Sequence, residues 1–79
     1  MQLTLQIGEG TPEVVYSGDS LALMEDALFI ELDDMPSRYA RLVTKWWEEK
    51  ARPKIDQGIF PIELRIPLGS DLHTWLIQE

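Results

Sequence analysis

From Phe60 to Leu68 every second residue is apolar: Phe60, Ile62, Leu64, Ile66 and Leu68 alternate with Pro61, Glu63, Arg65 and Pro67. Only an extended chain places such a series on one side, so the segment is a strand with one buried face, and no other stretch restricts the fold as much. Proline cannot donate to a ladder, and its presence at 61 and 67 puts this strand at a sheet edge or interrupts its pairing at the ends. Leu68-Gly69-Ser70-Asp71 then turns the chain, and Leu72 to Gln78 returns antiparallel as a last strand. A C-terminal helix capped by Ser70 or Asp71 is the alternative for that segment.

The same period opens the chain. Leu3, Leu5 and Ile7 alternate with Gln2, Thr4 and Gln6, Gly8-Glu9-Gly10-Thr11-Pro12 breaks the pattern, and Glu13 to Tyr16 reads as a second strand of an N-terminal hairpin. Between these ends the period changes to that of a helix. From Met35 to Arg52 apolar residues fall on one broad arc, with Asp33 and Asp34 placed to cap and charge its start, Pro36 in the first turn, and Arg52 and Lys54 near its end. Pro53 disfavours helical geometry at Arg52, one further kinked turn can follow over Lys54 to Gln57, and Gly58 stops it.

Residues 20 to 32 admit two readings. Leu28, Ile30 and Leu32 alternate with Phe29 and Glu31, which favours a strand over 27 to 32, with 20 to 26 open between strand and helix. In the other reading Asp19 or Ser20 caps a short helix whose Leu21, Met24 and Leu28 share a face. The expected fold class is therefore α+β: one domain over residues 1 to 79, a small antiparallel sheet of four to five strands, and one long amphipathic helix over about 35 to 52 packed on one face.

A chain of 79 residues with 44% hydrophobic and 27% charged residues is globular rather than disordered, and small enough to need an aromatic-rich core. With no cysteine, disulfide scaffolds and thiolate metal sites are excluded. No apolar stretch has the length of a membrane span, and Met1-Gln2 leads straight into a strand pattern with no signal-peptide features, so the expected address is cytoplasmic.

Trp46 and Trp47 are adjacent on the long helix. At about 100° per residue Trp46 lies in the middle of the apolar arc beside Tyr39 and is a core residue. Trp47 lies toward the margin, next to Ala40, Val43 and Ala51, where exposure would make it an interface anchor.

The net charge is −7, and its distribution is uneven. Residues 1 to 34 carry eight acids and no base, whereas residues 35 to 54 carry six bases, Arg38, Arg41, Lys45, Lys50, Arg52 and Lys54, against Glu48 and Glu49. On the helix Lys45 stands three and four residues from Glu48 and Glu49, and Glu48 four from Arg52, the spacings of helix ion pairs, so the basic face reads as solvated and self-paired. Overall negative charge argues against nucleic acid as its ligand.

Enzyme chemistry finds little support. His73 is the single histidine, Ser70-Asp71-x-His73 is too compact in sequence to be assumed a relay, and Gly8-Glu9-Gly10 leads into a strand where a phosphate loop needs a helix. Glu31, Asp33 and Asp34 lack the spacing of a calcium loop, so neither metal nor cofactor is expected. The reading that remains is a non-enzymatic acidic interaction module, an accessory, regulatory or inhibitor/immunity-type subunit. It would meet a protein with a basic surface, sharpest as one that neutralises a nucleic-acid-binding protein. Glu25, Asp26, Glu31, Asp33 and Asp34 would provide its charge complementarity and Trp47 its apolar anchor. The alternatives are a nucleic-acid binder using the basic helix face, and a homodimer or larger homo-oligomer in which acidic and basic surfaces pair between copies.

Overall fold

A computed structural model describes all 79 residues. Four strands, β1 (Gln2–Ile7), β2 (Glu13–Ser17), β3 (Ile62–Leu68) and β4 (Asp71–Gln78), form one antiparallel sheet in the order β2-β1-β4-β3. The alternation at both chain ends is thus realised as strands, and the proline-bearing β3 lies at an edge. At the opposite edge the β1–β2 register shifts between Leu3 and Thr4, an irregularity that blunts β2 as a template for further pairing. The fold is α+β, with two helical segments between the hairpins.

The first helix corrects the strand expected over 27 to 32. Residues Leu21–Leu32 form α1, and Ser20 is its N-cap, its hydroxyl accepting the Leu23 N–H at 3.2 Å. Leu28 and Leu32 are separated by four residues, a spacing that suits either a strand or a helix, so only Ile30 could discriminate; it faces solvent. Met24, Leu28 and Leu32 are the buried face.

The long helix starts two residues later than expected, continues through the further turn expected before Gly58, and changes its winding on the way. It begins as α2 (Ser37–Trp46), passes through a π turn over Trp47–Ala51 in which the Arg52 N–H bonds to the Trp47 carbonyl, and ends as α3 (Arg52–Asp56). Pro53 does not end the helix; it sits just after the widened turn, where a regular α-helix would press its ring against the carbonyl of Glu49. Gly58, with φ of 70°, closes the element: its N–H bonds to Ile55 O and that of Ile59 to Lys54 O, the paired bonds of a Schellman motif.

Asp33 and Asp34 do not cap this helix. Pro36 occupies its N-cap without a side-chain hydrogen bond, and Asp33 instead follows α1, where its backbone N–H closes the last turn on Phe29 and Ile30.

Cross-strand register places Leu3, Ile77 and Ile62 in one row, Leu5, Trp75 and Leu64 in the next, and His73 and Ile66 beyond. Of these, Leu3, Leu5, Ile62, Ile66, Trp75 and Ile77 join Met24, Leu28 and Leu32 of α1 and Tyr39, Val43, Trp46, Trp47 and Ala51 in a single core, with Leu64 packed against it and His73 buried beside it. Both helical segments therefore cover one face of the sheet. The other face carries Thr4, Leu76 and Glu63 in one row and Gln6, Thr74 and Arg65 in another.

Candidate functional site

Trp47 is not at the margin of the core: it is 0% exposed, more deeply placed than Trp46 at 7%. The helix is regular up to Trp47, but its buried arc is centred on Val43 and Trp47 rather than on Trp46: Leu42, on the other margin, is 51% exposed, and Ala51 is fully buried with Trp47. Trp47 is therefore a folding residue. Its indole Nε1–H has no hydrogen-bond partner, and it is the single buried side-chain polar atom in that condition.

The polar groups of the core converge elsewhere. The Nε1–H of Trp75 donates to the Tyr39 hydroxyl at 2.8 Å, and the same hydroxyl lies 2.8 Å from His73 Nδ1. Indole can only donate, and Tyr39 has no other acceptor for its own proton, so Tyr39 donates to His73 Nδ1 and the imidazole carries its proton on Nε2. His73 is 5% exposed and its ring meets that of Tyr39 edge-on at 5.2 Å. Burial pushes the Tyr39 hydroxyl above the usual tyrosine value of 10.0, partly offset by the hydrogen bond from Trp75. This is a bridge between α2 and β4, and it engages the one histidine away from Ser70 and Asp71.

The five acidic residues lie on or beside α1. Glu25 is half-buried and reaches Arg52 at 3.8 Å, Glu31 is half-buried, and Asp26, Asp33 and Asp34 are exposed. No group of three His, Asp or Glu side chains is arranged to hold a metal ion. Asp33 and Asp34 stand at the carboxyl end of α1, where the helix dipole disfavours negative charge. Neither makes an ion pair.

Beside these carboxylates lies an apolar surface that the hydrophobic periodicity does not predict. On the side of α1 opposite Met24, Leu28 and Leu32, Leu23 is 57% exposed and Ile30 69%, with Ala27 between them. The helix is apolar on two faces, of which the sheet can cover one. The signal was the near-continuous apolar content of Leu21–Leu32, too uniform for a surface helix with a single buried stripe. Asp26 and Asp33 flank Ile30 on the same outward side.

The basic face of α2 also differs from expectation. None of the pairs Lys45–Glu48, Lys45–Glu49 or Glu48–Arg52 forms; Arg52 turns to Glu25, and Arg38, Arg41 and Lys45 have no ion-pair partner. The winding change at Trp47 removes the regular spacing on which those pairs depend. Arg38, Arg41 and Lys45 surround Leu42, itself 51% exposed. A groove of about 180 Å³ continues from Leu42 past Pro36 and Tyr39 to Ile66 and Leu68 of the β3 edge.

The fold and its surface thus define a two-layer α+β domain with an acid-flanked apolar helix face and a separate cationic patch. Comparison with family models, with curated proteins and with solved structures finds no match. No helix is long and apolar enough to cross a membrane.

Proposed function

We propose that this chain is a non-enzymatic protein-interaction module, and that α1 is its docking element. The observation that carries the reading is the outward pair Leu23 and Ile30, with Asp26 lying between them along the helix and Asp33 and Asp34 just beyond Ile30. Apolar side chains at this spacing are the anchors of a helix that lies in a partner's groove, and the flanking carboxylates select a groove with a basic rim. The partner is accordingly a protein with a basic surface, and an inhibitor or immunity-type role against a nucleic-acid-binding protein is the sharpest form. Two further observations support it. Asp33 and Asp34 have no capping or ion-pairing task in the fold, and His73 is held by Tyr39 rather than by a carboxylate.

Affinity purification from the native cell with the wild-type chain and with the Leu23→Gln/Ile30→Gln variant tests the reading. A basic protein recovered by the wild type and lost by the variant is expected; the same proteins recovered by both would remove α1 from the interface.

The nucleic-acid reading draws support from the three unpaired cations Arg38, Arg41 and Lys45. A gel-shift titration at low salt decides it, because phosphate contacts strengthen as salt falls. Binding that weakens in Arg41→Ala and Lys45→Ala would favour this reading over the first, and no shift at low salt would exclude it.

A further inference from the structure

The acidic face of α1 and the basic face of α2 have the same spacing with opposite sign. Asp26, Ile30 and Asp33 follow one another at intervals of four and three residues, and Arg38, Leu42 and Lys45 do the same. Each series spans about two turns, roughly 10 Å, the first ending at the C-cap of α1, with an exposed aliphatic residue between two like charges. Ile30 and Leu42 are both more than half exposed, and none of the four charged residues has an ion-pair partner within the chain. Parallel packing of the two helices would set Asp26 against Arg38, Ile30 against Leu42 and Asp33 against Lys45. The groove beside Leu42, walled by Pro36, Ile66 and Leu68, adds an apolar recess that can receive the remaining aliphatic residue of α1, Leu23.

We infer that the basic-rimmed partner of α1 is a second copy of this chain, docked by the Arg38–Lys45 face of its α2. The inference rests on the docking role of α1 proposed above and names its occupant. Because the two faces are different patches of one molecule, the contact is heterologous: each copy offers a free α1 at one side and a free α2 at the other, and copies add head to tail until a ring closes or a filament grows. The overall charge of −7 opposes the approach of copies, so association depends on the local match of opposite charges at the contact.

The test is the mass of the full chain in solution by sedimentation velocity, over a concentration series reaching the millimolar range, for the wild type and two one-sided variants. Leu23→Gln/Ile30→Gln disables α1 alone and Leu42→Gln/Lys45→Gln disables the α2 face alone; all four positions are on the surface, and circular dichroism verifies the fold. The wild type is expected to grow beyond a dimer or to settle at a closed ring, and each variant to associate at least about tenfold more weakly. An equimolar mixture of the variants should yield a species of two copies and nothing larger, because one intact α1 meets one intact α2. A wild type that stays monomeric, association unaffected by either variant, or a mixture that behaves as the sum of its parts would overturn the inference. A monomeric wild type that still recovers a different basic protein through Leu23 and Ile30 would overturn self-assembly alone and leave the docking role of α1 in place.

Discussion

Trp75 and Tyr39 are joined across the helix–sheet interface by a hydrogen bond of 2.8 Å, with the indole of the central strand donating to the hydroxyl of α2. Tyr39 in turn donates a hydrogen bond to His73 Nδ1, so one hydroxyl serves two neighbours on β4. Replacement Tyr39→Phe keeps the ring and strands both. Leaving a buried polar group unsatisfied costs about 1–3 kcal/mol, so the variant should lose at least about 2 kcal/mol in urea denaturation. A loss below about 0.5 kcal/mol would show that water replaces the hydroxyl.

The same tyrosine gives an alkaline dependence of stability. Its folded-state value lies above the unfolded value of 10.0, so the native state keeps its proton while the unfolded chain gives it up. Stability from this group is complete below pH 10.0 and falls as pH rises from there toward the folded-state value. Denaturation curves measured on either side of that pH should steepen their decline in the wild type relative to Tyr39→Phe; identical slopes would exclude Tyr39 as the source.

Trp47 and Trp75 are both 0% exposed yet differ in their indole N–H, one orphaned and the other bonded. Each loses a similar volume on replacement by phenylalanine. Trp47→Phe also removes an unsatisfied donor, whereas Trp75→Phe breaks a bond and deprives Tyr39 of a partner. The expected order is therefore Trp75→Phe more destabilising than Trp47→Phe by about 1–3 kcal/mol, read from paired denaturation midpoints. The reverse order would mean that the Trp47 N–H finds a partner such as an ordered water.

Gly18 lies in the turn between β2 and α1 directly beside Tyr16, whose hydroxyl accepts the Ser20 N–H at 2.9 Å. A Cβ at position 18 would stand 2.5 Å from that hydroxyl oxygen and 3.0 Å from Cζ. Gly18→Ala should cost about 1–3 kcal/mol, the usual range for overpacking. Adding Tyr16→Phe relieves the closer contact, so the double variant should lose less than the sum of the single ones in a double-mutant cycle. Strict additivity would place the strain elsewhere.

Asp33 separates stability from function most directly. It stands at the negative end of α1, so Asp33→Asn should leave stability unchanged or raise it by about 0.3–1 kcal/mol at low ionic strength. If α1 is the docking element, the same change weakens the contact. A variant both less stable and fully competent in association would contradict both expectations.

How far the sequence discloses these features depends on which signal each element carries. The strands were legible because Phe60 to Leu68 and Gln2 to Ile7 bury one face only, so period two is written plainly. Helix α1 was not, because its outward Leu23 and Ile30 fill the positions at which a surface helix is polar and erase the period of 3.6. The docking residues and the misread element are thus one phenomenon: the departure from a single-faced pattern hid the helix and marks its exposed side. The acidic positions were found from charge alone, but their setting around Ile30 required the helix. Trp47 was misplaced because apolar type alone does not say which margin of a broad arc is buried: Leu42 turns out to solvent, which moves the centre of the buried face to Val43 and Trp47. Pro53, inside a helix that continues past it, was the clue to the π turn.

The strand order has a kinetic side. In the central pair, β1 with β4, partner residues are between 66 and 76 positions apart, from Ile7 with His73 to Gln2 with Gln78. Each hairpin forms locally, but neither encloses anything by itself: Leu3 and Leu5 belong to one, Trp75 and Ile77 to the other. The core exists only after the two hairpins meet, and that meeting closes a loop made of nearly all the sequence between them, an entropic cost incurred before any buried contact offsets it. Strand order therefore favours folding as one cooperative unit, because the shared core is buried only when the first and last strands pair.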